Sequence, residues 1–213
     1  MNARHFSSRN LFALVCVGAL ASTATGDEAP ERNLTERGAL TWRTVNDGVM
    51  GGRSRGGFEF DASGMLIFRG ATSLENNGGF SSIRSRPQRL EFDGYDGIAL
   101  RVRGDGRSYK LALRVARTSR MLSYWADFDT IPETWQELRI PFSAWIPTSF
   151  GRKLRGPRLR VGNIDSVGFM LYDKKAGPFR LEVASLRPYR EGDQPTSAGP
   201  RRLLLNSDKA CGE

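Results

Sequence analysis

Residues 95–116 read YDGIALRVRGDGRSYKLALRVA, and their alternation decides the fold class. Ile98, Leu100 and Val102 fall on one side of an extended chain, with Arg101 and Arg103 on the other. After a break, Tyr109, Leu111, Leu113 and Val115 repeat the pattern. Successive side chains of a strand point to opposite faces, so period-two alternation marks strands with one face buried and one in water. Gly104-Asp105-Gly106, between the two runs, predicts a tight hairpin turn. The signal recurs in MLSYWADF (121–128), where Leu122, Tyr124, Ala126 and Phe128 align with Trp125 opposite, and continues in WQELRIPF (135–142), IDSVGFMLY (164–172) and PFRLEVASLRPY (178–189). Helix-period signals are nearly absent, and no internal repeat is visible. The expectation is an all-β protein, an antiparallel β-sandwich of jelly-roll type over residues 38–190.

Composition narrows the chemistry. The 24 glycines suit a chain with many turns, and the 39% hydrophobic content suits an ordinary core. Net charge is +9, and removing Arg4 and Arg9 with the leader leaves +7. That balance fits acidic partners such as lipid headgroups, nucleic acid or acidic protein faces. Arginines alternate outward on several strands, and the loop GRKLRGPRLR (151–160) adds more. No nucleic-acid motif accompanies them, so nucleic acid is not an expected partner and the arginines are read as solvated strand faces. The only histidine is His5, which removes histidine triads and histidine metal sites from a processed chain. Cys16 and Cys211 lie at opposite ends, in the apolar leader and the tail, and build no internal disulfide or zinc site.

Residues 1–26 carry Arg4 and Arg9, an apolar run from Leu11 to Ala21 and then small residues. This pattern predicts a secretory signal peptide cleaved near Thr25 to Asp27, hence an exported protein. A mitochondrial presequence is the alternative, since no acid precedes Asp27. Residues 27–37 are expected to be a linker, and 191–213 a loose tail. Asn33-Leu34-Thr35 forms a glycosylation sequon.

Four loop motifs place glycines beside Asn or Asp at strand ends: NDGVMGGRS (46–54), LENNGGFSSIRS (74–85), RGDGRSY (103–109) and YDKKAGPF (172–179). None is a phosphate cradle, because the dinucleotide pattern and the Walker lysine-serine pair are both missing. Taken in order, with YDGIALRVRGDGRSY, WQELRIPF and SVGFMLYDKKAGPF, the motifs resemble the complex I intermediate-associated protein 30 family over about residues 40 to 188. The resemblance implies a galactose-binding-domain-like sandwich, shared with carbohydrate-binding modules. It also implies a non-enzymatic, chaperone-like assembly factor for respiratory NADH:ubiquinone oxidoreductase. The expected partners are then protein subunits of a membrane complex, acting on a chain that is itself a monomer. The alternative partner is a carbohydrate, and exposed, coplanar Trp125 and Trp145 would favour it.

In such a sandwich, loops from one end converge into a rim. Candidate binding residues there are Asn46, Asp47, Met50, Arg53, Asn76, Asn77, Phe80, Arg84, Asp105 and Asp173. Val49 and Met50, held between two glycine turns, offer an apolar contact; Met50 is otherwise a plug in the sandwich mouth. Neither a catalytic residue nor a cofactor is expected. Glu75 paired with Asp105 or Asp173 supports glycoside hydrolysis only if the carboxylates face each other across a groove of about 5–10 Å. Asn46, Asp47 and Asp173 could offer oxygens to calcium, but their spacing makes no dedicated loop, and no metal is expected.

Overall fold

Alternation is converted directly into burial. Ile98, Leu100 and Val102 are buried, as are Tyr109, Leu111, Leu113 and Val115. The structure, a computed structural model, describes residues 32–119 and 122–193. In chain order the strands are β1 (Trp42–Asn46), β2 (Arg55–Phe60), β3 (Leu66–Thr72), β4 (Ser81–Ser85), β5 (Gly97–Arg103), β6 (Ser108–Val115), β7 (Leu122–Asp129), β8 (Trp135–Pro141), β9 (Ile146–Ser149), β10 (Arg152–Lys153), β11 (Ile164–Leu171) and β12 (Gly177–Tyr189). They form two antiparallel sheets, ordered β1-β4-β11-β6-β7-β9-β10 and β2-β3-β12-β5-β8. No α-helix occurs among the described residues, only short 3-10 turns. The expected antiparallel sandwich is what the chain forms.

Phe68, Leu181 and Val183 from the five-stranded sheet meet Ile83, Tyr109, Leu111 and Phe169 from the seven-stranded sheet in one core cluster. Phe68 sits edge-on to Phe179 at 4.7 Å between ring centroids and touches Tyr109 across the layers. Each large side chain buried this way contributes roughly 1.5–3 kcal/mol.

The expected hairpin at Gly104-Asp105-Gly106 does not form. β5 pairs with β12 and β8, whereas β6 pairs with β11 and β7, so the turn carries the chain from one sheet to the other. Both runs turn an apolar face to the same core from opposite sides. Alternation reports which face is buried, and it is silent on which edge pairs.

Residues 33–37, expected as linker, belong to the fold. Leu34 and Thr35 are buried, and the Leu34 amide donates to Leu186 O at 2.9 Å. The Asn33 side chain is built in: its Nδ2 donates to Ala184 O, and its Oδ1 accepts from the Leu186 and Thr35 amides. The sequon asparagine is therefore a structural residue with its amide in use. The expected leader and tail lie outside the described residues, apart from the tail's first three positions.

β11 and β12, the last strands of the sandwich, are interior to their sheets. β11 lies between β4 and β6, and β12 lies between β3 and β5.

Candidate functional site

The rim is organised by a buried carboxylate. Asp47 opens a 3-10 turn, Asp47–Met50, and is fully buried at 0% exposure. Its Oδ1 accepts from the Ser54 amide at 2.9 Å, and its Oδ2 accepts from Ser54 Oγ at 2.5 Å and from the Gly79 amide at 2.7 Å. The Phe80 amide approaches the same oxygen at 3.3 Å. Burial alone would raise this carboxyl's pKa, but the donors from Ser54, Gly79 and Phe80 outweigh it and hold the group below its ordinary value. The glycines now have their reason. A Cβ on Gly52 would run into the Asp47 carboxyl, and one on Gly78 would lie 2.6 Å from its Oδ2. One glycine of each pair, Gly52 and Gly78, is room for the Asp47 carboxylate.

What that anchor displays is apolar. Val49 is 75% exposed and Met50 64% exposed, so Met50 is no plug. Gly51 follows in the left-handed region at φ 86° and turns the chain back. The neighbouring loop is tied alongside: Asn76 Nδ2 donates to Gly51 O at 3.1 Å, and the exposed Arg53 pairs with Glu75 at 2.7 Å. Asn76 and Asn77 both take left-handed conformations, at φ 54° and 57°. Leu74, on this second loop, is also exposed. At the base, Asn46 accepts from Ser81 Oγ and donates to Gly56 O, which fixes it in the strand ends. Phe80 meets Tyr172 edge-on at 6.3 Å.

Asp105 and Asp173 lie in a second network, centred on Arg107, a residue the sequence reading missed. Arg107 grips Asp173 with two bonds, Nε to Oδ2 at 2.9 Å and Nη2 to Oδ1 at 2.7 Å, with both side chains largely withdrawn from solvent. It also donates to Lys175 O, Pro178 O and Thr72 Oγ1. Asp105 accepts from Tyr109 OH at 3.0 Å and from the Arg180 amide at 2.8 Å. The two networks adjoin, because Ser54 Oγ accepts from the Ser73 amide next to Thr72. Asp47, Asp105 and Asp173 are thus girders of the rim, while Val49, Met50, Arg53, Leu74, Asn76 and Asn77 are its surface. Glu75 is spent on Arg53 at the surface, while Asp105 and Asp173 are bound inward. No cluster of three or more His, Cys, Asp or Glu with metal-site geometry occurs among the described residues.

Two expectations separate from the rim. Arg84 sits in the middle of β4, paired with Arg43 on β1, on the outer face of the sheet. Trp145 is only 6% exposed, whereas Trp125 is half-buried and stands at 75° to Tyr172. The coplanar Trp125–Trp145 platform does not exist.

Comparison with known proteins matches residues 32–183 to the family model for Complex I intermediate-associated protein 30. The mouse protein named "Complex I intermediate-associated protein 30, mitochondrial" is 33% identical over 165 residues, 67% of this chain and 50% of that one. The Drosophila melanogaster protein of the same name is 28% identical over 167 residues, 67% of this chain and 56% of that one. The chain spans about half the length of these curated relatives. Among solved structures, the family 11 carbohydrate-binding module of a Clostridium thermocellum cellulosomal cellulase superposes with a TM-score of 0.56 at 16% identity, over 76% of this chain and 95% of that one. At such identity the likeness speaks to the sandwich alone.

Proposed function

We propose, from the premise that the chain belongs to the Complex I intermediate-associated protein 30 family, that it is a non-enzymatic, chaperone-like assembly factor. It holds protein subunits of a membrane complex such as respiratory NADH:ubiquinone oxidoreductase through its loop rim. The observation that carries this is the Val49–Met50 pair, largely exposed yet standing on a turn locked by Asp47. Exposed apolar side chains on a preordered turn lose little freedom on binding, so more of their burial appears as affinity. Methionine adds an adaptable, polarizable surface suited to several clients. The carbohydrate reading lacks its platform, since Trp145 is buried and Trp125 meets Tyr172 edge-on.

The relatives are mitochondrial by name, which agrees with the presequence alternative for the leader and lends nothing to export. The test uses tagged full-length chain purified from native membranes, with complex I subunits followed by mass spectrometry. Wild type retains a defined set of subunits, and a Val49→Ser, Met50→Ser chain loses them. Equal recovery by both chains, or recovery of no such subunit by wild type, overturns the reading.

A further inference from the structure

Beside the rim loops, the outer face of the seven-stranded sheet gathers arginines. Ile83 points into the core, so Arg84 beside it in β4 points out, with Arg43 next to it in register on β1. On its other side β11 offers Gly168. A Cβ at 168 would stand 3.0 Å from Arg84 Cγ and 2.5 Å from Ile83 O, so the glycine leaves room for the arginine stem. Arg114 reaches the same face from β6, opposite Ser166. Arg43 and Arg114 also line a basin of about 790 Å³, together with Arg86, Arg117, Asp165 and Ser166.

These charges act on one another. Burial first, then the charges of Arg114 and Arg43, bring Arg84 down to about 10. Arg114 is lowered too, by burial and then by Arg43. Asp165 is the one acid lining the basin among the described residues, and burial raises its pKa. The Arg84 side chain makes neither a hydrogen bond nor an ion pair among the described residues. A half-buried guanidinium with cations for neighbours is held at a cost that an anion would relieve.

We propose that this face binds a phosphate-bearing anion, gripped by Arg43, Arg84 and Arg114 at the edge of the basin. Planar guanidinium forks match phosphate oxygens in pairs, and a compact, multiply charged group balances clustered arginines better than one carboxylate does. Among the described residues the basin has no aromatic lining, which disfavours single-stranded nucleic acid, whose bases need rings to stack on. This site stands independently of the assembly role.

The test uses purified full-length chain and two probes. The first is thermal melting in sodium pyrophosphate against sodium chloride of equal ionic strength. The second is cosedimentation with phosphatidylcholine vesicles, with and without phosphatidic acid. A melting temperature raised by pyrophosphate alone assigns a soluble phosphate, and retention by acidic vesicles alone assigns a lipid headgroup. Either response falls at least fivefold in Arg84→Gln and in Arg43→Gln, the latter being an exposed residue whose loss leaves the fold intact. Arg55→Gln, on the other sheet, keeps the full response. No response above the chloride and neutral-vesicle controls overturns the proposal. So does an Arg55→Gln loss equal to that of Arg84→Gln, which would mean bulk charge alone. Binding of polyglutamate without either phosphate probe likewise overturns it, in favour of an acidic protein partner.

Discussion

The carboxylate of Asp47 receives the amide of Gly79 at 2.7 Å across thirty-two residues of chain. Through that bond and its companions, two glycine-rich loops that look independent in sequence become one body. The turn that lifts Val49 and Met50 into solvent is fixed from beneath by an acid that solvent does not touch.

Removing this acid should therefore cost stability first. Asp47→Ala leaves buried amides of Ser54 and Gly79 without an acceptor, a loss of about 2–4 kcal/mol. The pH dependence has a defined sign. Because the folded pKa lies below the ordinary value, the stabilisation is fully present above about pH 5 and is lost as the pH falls below about 4, through the folded value. Urea melts from pH 7 down to pH 2 should show a shallower acid limb in Asp47→Asn than in wild type.

Exposure separates contact from fold at the displayed pair. Met50→Ala and Val49→Ala should each change stability by less than about 0.5 kcal/mol. A buried methionine in the same position would cost about 2–5 kcal/mol. Thermal melts run beside subunit capture check both halves: stability unchanged, capture reduced.

Within one motif, two glycines should behave differently. Gly48 has open space where a Cβ would go, so Gly48→Ala should be neutral or stabilising by up to about 1 kcal/mol. Gly52→Ala drives a methyl into the Asp47 carboxyl and should cost about 1–3 kcal/mol. Chemical denaturation of the two single variants checks the contrast.

The Arg107–Asp173 pair, 11% and 5% exposed, invites a double-mutant cycle. Arg107→Met alone strands a buried carboxylate and should cost about 3–5 kcal/mol. Adding Asp173→Asn should recover part of that loss, because the stranded charge goes with it. Strict additivity of the two losses would show that the pair is uncoupled.

Much of this architecture is legible in the chain. In SSIRS, residues 81–85, counting by two from Ile83 already sets Arg84 on the outer face rather than in the rim. The strand runs themselves convert faithfully, since Tyr109 to Val115 needs only alternation and a core. Pairing does not convert, as β5 and β6 show, because a turn's residues say nothing about which sheet receives the next strand. Asp47 is the residue whose place the sequence shows least. By type it belongs in water, and its burial depends on donors at 54, 79 and 80 that only the folded chain brings together. Arg107 is similar, since nothing near it in sequence announces a partner sixty-six residues away.

The interior placement of β11 and β12 bears on how the molecule is made. While the ribosome is still reading residues before 164, β4 has only β1 as a neighbour, and β6 has only β7 and the strands beyond it. In the second sheet, β2–β3 and β5–β8 are separate ribbons with a gap between them. The two strands that join these halves arrive last, and they do so by contacts as distant as Leu66 with Val183. Closure over such separations is slow, and until it happens unpaired edges and apolar faces stand open to other chains. Every nascent copy thus passes through a stage at which it needs shelter itself, and the emergence of residues 164–189 ends that stage.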